Sequence, residues 1–192
     1  MDYRSVLGIV SVILQICCIL PYFVGIFKGR IKPHGFTWFL WGTLCGISLC
    51  VQLYEKAGAG AWLSMINTVA PLSVAALAFR YGTFTATRSD WVVLVIALLA
   101  LPLWVFTQNP LWSVLIVCGI NILATIPTLR KTWLKPHEEY PFTFFVGGIA
   151  AFLSIAAMDH LRVTVFLYPL VIAVSNMVLV ALILYRRTIV KI

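Results

Sequence analysis

One block of this chain occurs twice. Pro21 is followed by Lys32-Pro33-His34, then Phe36-Thr37-Trp38-Phe39, with Gly42 beyond. Pro127 is followed by Lys135-Pro136-His137, then Phe142-Thr143-Phe144-Phe145, with Gly148 beyond. Pro21 and Pro127, Thr37 and Thr143, and Gly42 and Gly148 all stand 106 residues apart. A fixed offset restricts the chain to an architecture of two like units.

Composition decides the medium. The chain is 62% hydrophobic and only 10% charged, where a soluble domain carries about 25% charged residues. It therefore belongs in a bilayer. The net charge of +8 points to topology rather than nucleic acid, because the charges cluster between apolar runs. Cys17, Cys18, Cys45, Cys50 and Cys118 all lie inside apolar runs. None has metal-ligand spacing with a histidine, and their odd number argues against a disulfide framework. They read as packing residues, and no metal or cofactor is expected. The first apolar run lacks a basic start and a small-residue exit, so it reads as a span rather than a cleavable signal.

A helical span needs about 20 mostly apolar residues. Runs bounded by charge, Gly or Pro give seven: Val6–Phe27, Phe36–Leu53, Ala59–Phe79, Trp91–Phe106, Leu111–Leu129, Phe142–Met158 and Val163–Tyr185. With the N-terminus outside, eleven of the fourteen Lys and Arg fall inside, leaving Arg4, Lys56 and Arg162 outside. The positive-inside bias thus predicts an outer N-terminus and a cytoplasmic C-terminus. All six acids (Asp2, Glu55, Asp90, Glu138, Glu139, Asp159) lie at or beyond span ends. An intramembrane carboxylate is the usual mark of a proton relay, so passive flux is expected over proton-driven flux.

Spans 1–3 align with spans 5–7. Three crossings per unit is an odd number, so one extra crossing must restore direction if both units point the same way. Span 4 is that linker. The expected fold is an all-α membrane protein: residues 1–82 form one three-helix bundle, 83–108 the linker helix, and 109–192 the second bundle. Such parallel repeats are a known transporter geometry. Each unit carries an amide in its first helix (Gln15, Asn121), a helix-distorting proline (Pro21, Pro127) and an asparagine in its third helix (Asn67, Asn176). The asparagines align if the third helices slip by three residues relative to the rest.

With these residues the chain resembles the SWEET sugar transporters and the wider PQ-loop superfamily. It is also similar to the bacterial vitamin-precursor transporters of the nicotinamide riboside type, which share the plan. Where PQ-loop proteins carry glutamine after the proline, this chain has Tyr22 and Thr128. The resemblance implies transport by alternating access. It makes Asn67 and Asn176 a facing pair across a central pocket, and Pro21 and Pro127 hinges.

The physical case for the asparagines stands beside that. A carboxamide in hydrocarbon must find a partner, and it offers both donor and acceptor to a hydroxyl or amide. The competing reading is interhelical glue, worth typically about 0.6 kcal/mol. Trp38 and Trp41 in helix 2, with Phe144 and Phe145 in helix 6, can stack on a ring. Trp62 and Tyr168 fall where an outer vestibule would lie. Ser48 and Gln52 in helix 2, and Ser154 and Met158 in helix 6, sit where this fold places pocket walls. Gln15 and Asn121 are a second amide pair. His34 and His137 fall in loops and read as solvated or headgroup contacts.

The expected ligand is a small neutral polar solute such as a sugar or nucleoside-type vitamin precursor. An amino-acid exporter of PQ-loop type and a non-transporting seven-helix receptor or scaffold stay open. Enzyme motifs such as His-Glu-x-x-His or Gly-x-Ser-x-Gly are absent. The expected setting is a bacterial plasma membrane. A homo-oligomer is compatible with this reading, though a full 3-1-3 chain can close its own pathway as a monomer.

Overall fold

The apolar runs fold as helices, which satisfy their own backbone and so tolerate a medium without water. A computed structural model describes residues 2–29, 31–84, 86–134, 136–138 and 141–190; the side chains at 89, 90, 127, 131 and 138 lie outside that description. Seven α-helices follow in order: α1 Tyr3–Phe27, α2 Gly35–Tyr54, α3 Ala61–Tyr81, α4 Arg88–Thr107, α5 Leu111–Leu134, α6 Pro141–Ala156 and α7 Val163–Ile189. Short 3-10 turns at Gly58–Gly60 and Pro136–Glu138 precede α3 and α6. No strand occurs among the described residues, only an isolated bridge between His34 and Thr83.

Helices α1, α2, α3, α5 and α7 are long and apolar enough to cross a membrane. The apolar stretches of α4 and α6, Trp91–Thr107 and Pro141–Ala156, are shorter. The expected seven spans correspond to seven helices, and among the described residues five are long and apolar enough to cross a membrane. The 16 residues of α6 reach about 24 Å, against a hydrocarbon thickness of about 30 Å. Its far end stops because the chain turns aside to a neighbour: the Asp159 N–H donates to the Ala57 carbonyl at 3.2 Å. Other helices outrun the expected spans. Helix α7 continues through Arg186 and Arg187 in its last turn, where cations complement the C-terminal dipole.

The helices pack as two triplets. Helix α3 lies between α1 and α2, and α7 lies between α5 and α6; the flanking helices of each triplet make no substantial contact. Between triplets, α1 meets α6 and α2 meets α5, while α4 lies against α5 and α2. Small residues permit these approaches, as is usual for membrane helices. A Cβ on Gly42 would stand 2.7 Å from Leu72 Cγ, and one on Gly148 would collide with Met177. Large apolar side chains such as Ile13, Val95, Leu123 and Val178 are exposed on the outer faces.

The two ends of the bundle differ. At one end, Gly35 N–H donates to Thr83 O (2.7 Å) and Thr83 N–H to Pro33 O (3.0 Å), joining the loop after α1 to the loop after α3. The second triplet does the same with side chains: Arg186 Nε donates to Trp133 O at 3.0 Å, and His137 Nε2 lies 2.8 Å from Val190 O. Lys32-Pro33-His34 and Pro136-His137 map to this basic end; Lys135 lies outside the described residues. At the opposite end, Arg162 pairs with Glu55 and Arg4 with Asp159 (3.3 Å), each linking the two triplets.

Candidate functional site

A cavity of about 700 Å³ opens between the triplets. Helices α1, α2, α3, α5, α6 and α7 line it, and α4 contributes nothing. Helix α1 supplies Gln15, Cys18, Ile19 and Tyr22; α5 supplies Asn121, Ala124, Thr125 and Thr128. Each residue of the first set stands 106 before its counterpart in the second. The same offset relates Trp38 and Trp41 of α2 to Phe144 and Gly147 of α6.

The third helices keep a different register. Asn67, Ala70 and Pro71 of α3 line the cavity, as do Ile172, Ser175 and Asn176 of α7, and these sets stand 105 apart. The buried pairs Val74/Leu179 and Ala78/Ile183 obey the same offset. So do Leu72 and Met177, which fill the space above Gly42 and Gly148. Packing therefore matches Asn67 with Ile172 and Asn176 with Pro71. The expected level pair is corrected to a staggered one: the carboxamides differ by four residues of register, about 6 Å along a helix axis. The cause is volume packing against the two glycines, which a search for matching asparagines does not see.

Half-buried carboxamides dominate the polar lining. Among the described residues, Gln15, Asn67 and Asn176 make no side-chain hydrogen bond to the protein, whereas glue would require one. An amide in apolar surroundings is costly without a partner, so these three are left to water or a solute. Asn121 differs, donating from Nδ2 to Tyr168 Oη at 3.5 Å. The carboxamide of Asn176 lies over Gly147, where an added Cβ would stand 3.1 Å from Nδ2. Hydroxyls from Thr125, Thr128, Thr143 and Ser175 complete the polar set, and every lining residue is uncharged.

One wall is aromatic. Trp38 Nε1 donates to Tyr22 Oη at 3.1 Å, with ring centroids 4.8 Å apart. Trp41 packs edge-on against Trp38 at 5.5 Å, and Phe144 stands on the second triplet. The floor is Tyr168, 2% exposed, whose hydroxyl lies 3.5 Å from Cys45 Sγ. Because Cys45 belongs to α2 and Tyr168 to α7, this contact closes the cavity across the two triplets. Tyr168 was expected in an outer vestibule and is instead sealed in.

No family model, curated protein or solved structure matches the chain. The site is therefore read on its own geometry.

Of the residues expected from sequence, Asn67, Asn176, Gln15, Asn121, Trp41 and Pro21 line the cavity. The side chain of Pro127 lies outside the described residues. Phe145 does not line it: it is 48% exposed, because one residue turns a helix by about 100° and its neighbour Phe144 takes the inward position. Ser48, Gln52, Ser154 and Met158 also stand away from the cavity, buried nearer the Glu55 end. Ser154 Oγ donates to its own backbone at Ala151 O, 2.8 Å. Met158 packs with Ala57, Ala61 and Val165. Gln52 Nε2 donates to Val165 O at 3.3 Å. Residues not singled out from sequence include Thr125, Thr128, Ser175 and Pro71. Carrying the 106 offset from Ile19 and Tyr22 would have found both threonines.

Proposed function

We propose that this chain is a membrane transporter that carries a small, neutral, polar solute by alternating access between its two helix triplets. The observation that supports it most is a cavity lined by both triplets in which, among the described residues, three half-buried carboxamides make no side-chain hydrogen bond to the protein. A lining without charge disfavours ions and zwitterions, because a charge in a low-dielectric site needs a paired counter-charge. That places the amino-acid exporter second and the non-transporting receptor or scaffold third. Carboxamides beside stacked aromatic rings suit sugars and nucleosides, which present hydroxyls, amides and flat faces.

The matched offsets in the lining and the exchange of α1–α6 for α2–α5 contacts support a duplicated 3-1-3 plan resembling the SWEET and PQ-loop transporters. In this reading all seven helices are inserted in a bacterial plasma membrane with the N-terminus outside. The cavity then faces the cytoplasm, and the Glu55 end is the closed outer gate. Pro21, which removes a backbone hydrogen bond within α1, marks the bend about which a triplet rocks, with Pro127 its repeat partner.

Labelled glucose and uridine should equilibrate into proteoliposomes holding the purified chain, without a pH gradient and to the same end point from either direction. Uptake that requires an imposed pH gradient would overturn the facilitator reading. No equilibration of any sugar or nucleoside would overturn the transport reading.

A further inference from the structure

Along α2, Trp38, Trp41, Cys45, Ser48, Gln52 and Glu55 recur at alternating steps of three and four residues. That spacing puts all six on one face. The first three line the cavity. The last three continue the same stripe past the Tyr168 floor to the far end, where Glu55 meets Arg162. Ser48 is 1% exposed and Gln52 is fully buried. Among the described residues, Ser48 Oγ and Gln52 Oε1 nevertheless have no hydrogen-bond partner. Only Gln52 Nε2 is engaged, by the Val165 carbonyl of the opposite triplet.

Two nearby unpaired polar groups in a buried helix interface are a poor solution for packing alone. The repeat shows what packing would choose. Gln52 corresponds at the 106 offset to Met158, which fills the equivalent place with an apolar side chain of similar length. Ser48 corresponds to Ser154, which satisfies its hydroxyl on its own backbone. The unsatisfied atoms of this stripe lie on the first triplet, in line with the cavity; Thr132 Oγ1 and His160 Nε2, also buried without a partner among the described residues, belong to the second triplet and lie away from it.

Resting on the transport reading above, we propose that Ser48 and Gln52 form a second solute station in the half of the pathway closed in this structure. The carboxamide and hydroxyl receive solute hydroxyl or amide groups when the Glu55 end opens. The ion pairs Arg162–Glu55 and Arg4–Asp159 and the Gln52–Val165 bond hold that half shut. Opening breaks the bond to Val165 and frees the whole carboxamide, while Trp38 and Trp41 keep serving the opposite side. The station takes neutral hydrogen-bonding solutes, since its stripe carries no charge until Glu55.

Two measurements test this. Gln52→Met copies the second repeat and conserves volume. With labelled glucose or uridine in vesicles of defined orientation, it should raise KM at the Glu55 face about tenfold while changing KM at the basic face less than about twofold. A facilitator cannot create a gradient, so Vmax/KM stays equal in both directions and the deficit at the basic face appears in Vmax. Equal KM changes at both faces, or none at either, would overturn the proposal.

The second measurement needs no solute. Gln52→Cys, in a chain with Cys17, Cys18 and Cys50 changed to Ser, is treated with a membrane-impermeant maleimide from the Glu55 face. Labelling should be slow, and at least about fivefold faster when Glu55→Gln and Arg4→Gln remove both ion pairs. A cysteine at 52 that stays unlabelled in both backgrounds would overturn the proposal. If the native chain carries neither probe, that failure belongs to the transport reading, and the labelling result decides this one.

Discussion

The sharpest test of the cavity replaces its two asparagine carboxamides by Leu, singly and together. Leucine keeps side-chain size and is a good helix former, so Asn67→Leu and Asn176→Leu remove hydrogen-bonding capacity and little else. A solute group left without its partner in a desolvated site costs about 1–3 kcal/mol. Each change should therefore raise KM by roughly 5- to 150-fold. Stability should move the other way. Neither carboxamide bonds to the protein among the described residues, so the apolar replacements should leave Tm unchanged or higher. The stagger adds a further requirement. Carboxamides about 6 Å apart in register address different groups of an extended solute, so the two effects should add to within about 0.5 kcal/mol. Flux assays in proteoliposomes supply KM, and thermal unfolding in detergent supplies Tm. A fall in Tm worth about 0.6 kcal/mol with KM unchanged would mean that the asparagines are glue, and the cavity reading fails.

Other outcomes follow from single contacts. Gly147→Ala places a Cβ 3.1 Å from Asn176 Nδ2, so it should displace the carboxamide and raise KM by about three- to tenfold with an intact fold. Gly60→Ala sets a Cβ 2.7 Å from the Ser154 carbonyl, which is backbone; overpacking of that kind should lower stability by about 1–3 kcal/mol, read by thermal unfolding. At the ion pair, the Arg162 side chain is 68% exposed and that of Glu55 only 10%. Glu55→Gln should cost less than about 1 kcal/mol. Arg162→Gln should cost more, because it leaves a largely buried carboxylate alone; the reverse order in unfolding measurements would contradict the geometry. The cavity lining holds no carboxylate or histidine, so flux should not respond to an imposed pH gradient, and a response would reveal a titrating group elsewhere on the path.

Much of the cavity lining was legible in the sequence. Gln15 and Asn121 follow from the same offset as the prolines, because a repeat that preserves helix length preserves which face looks inward. Trp41 was found as an aromatic in the first half of α2. Phe144 and Phe145 read alike in the sequence, because two adjacent aromatics cannot be ranked without the helix's rotation. Ser48, Gln52, Ser154 and Met158 share the cavity face by periodicity. What periodicity lacks is depth, and in this conformation the interface beyond Tyr168 is closed over them.

The sequence by itself determined that the chain is helical and apolar, where its helices lie, and that one block recurs at an offset of 106. Those properties are local or periodic, written in hydropathy, charge and spacing. Only the tertiary structure decided the register of the third helices, because Leu72 and Met177 choose their places by fitting above Gly42 and Gly148. It also decided which end of the cavity is closed. That depends on whether Tyr168 reaches Cys45 across the two triplets, a contact between residues 123 apart that no local pattern encodes.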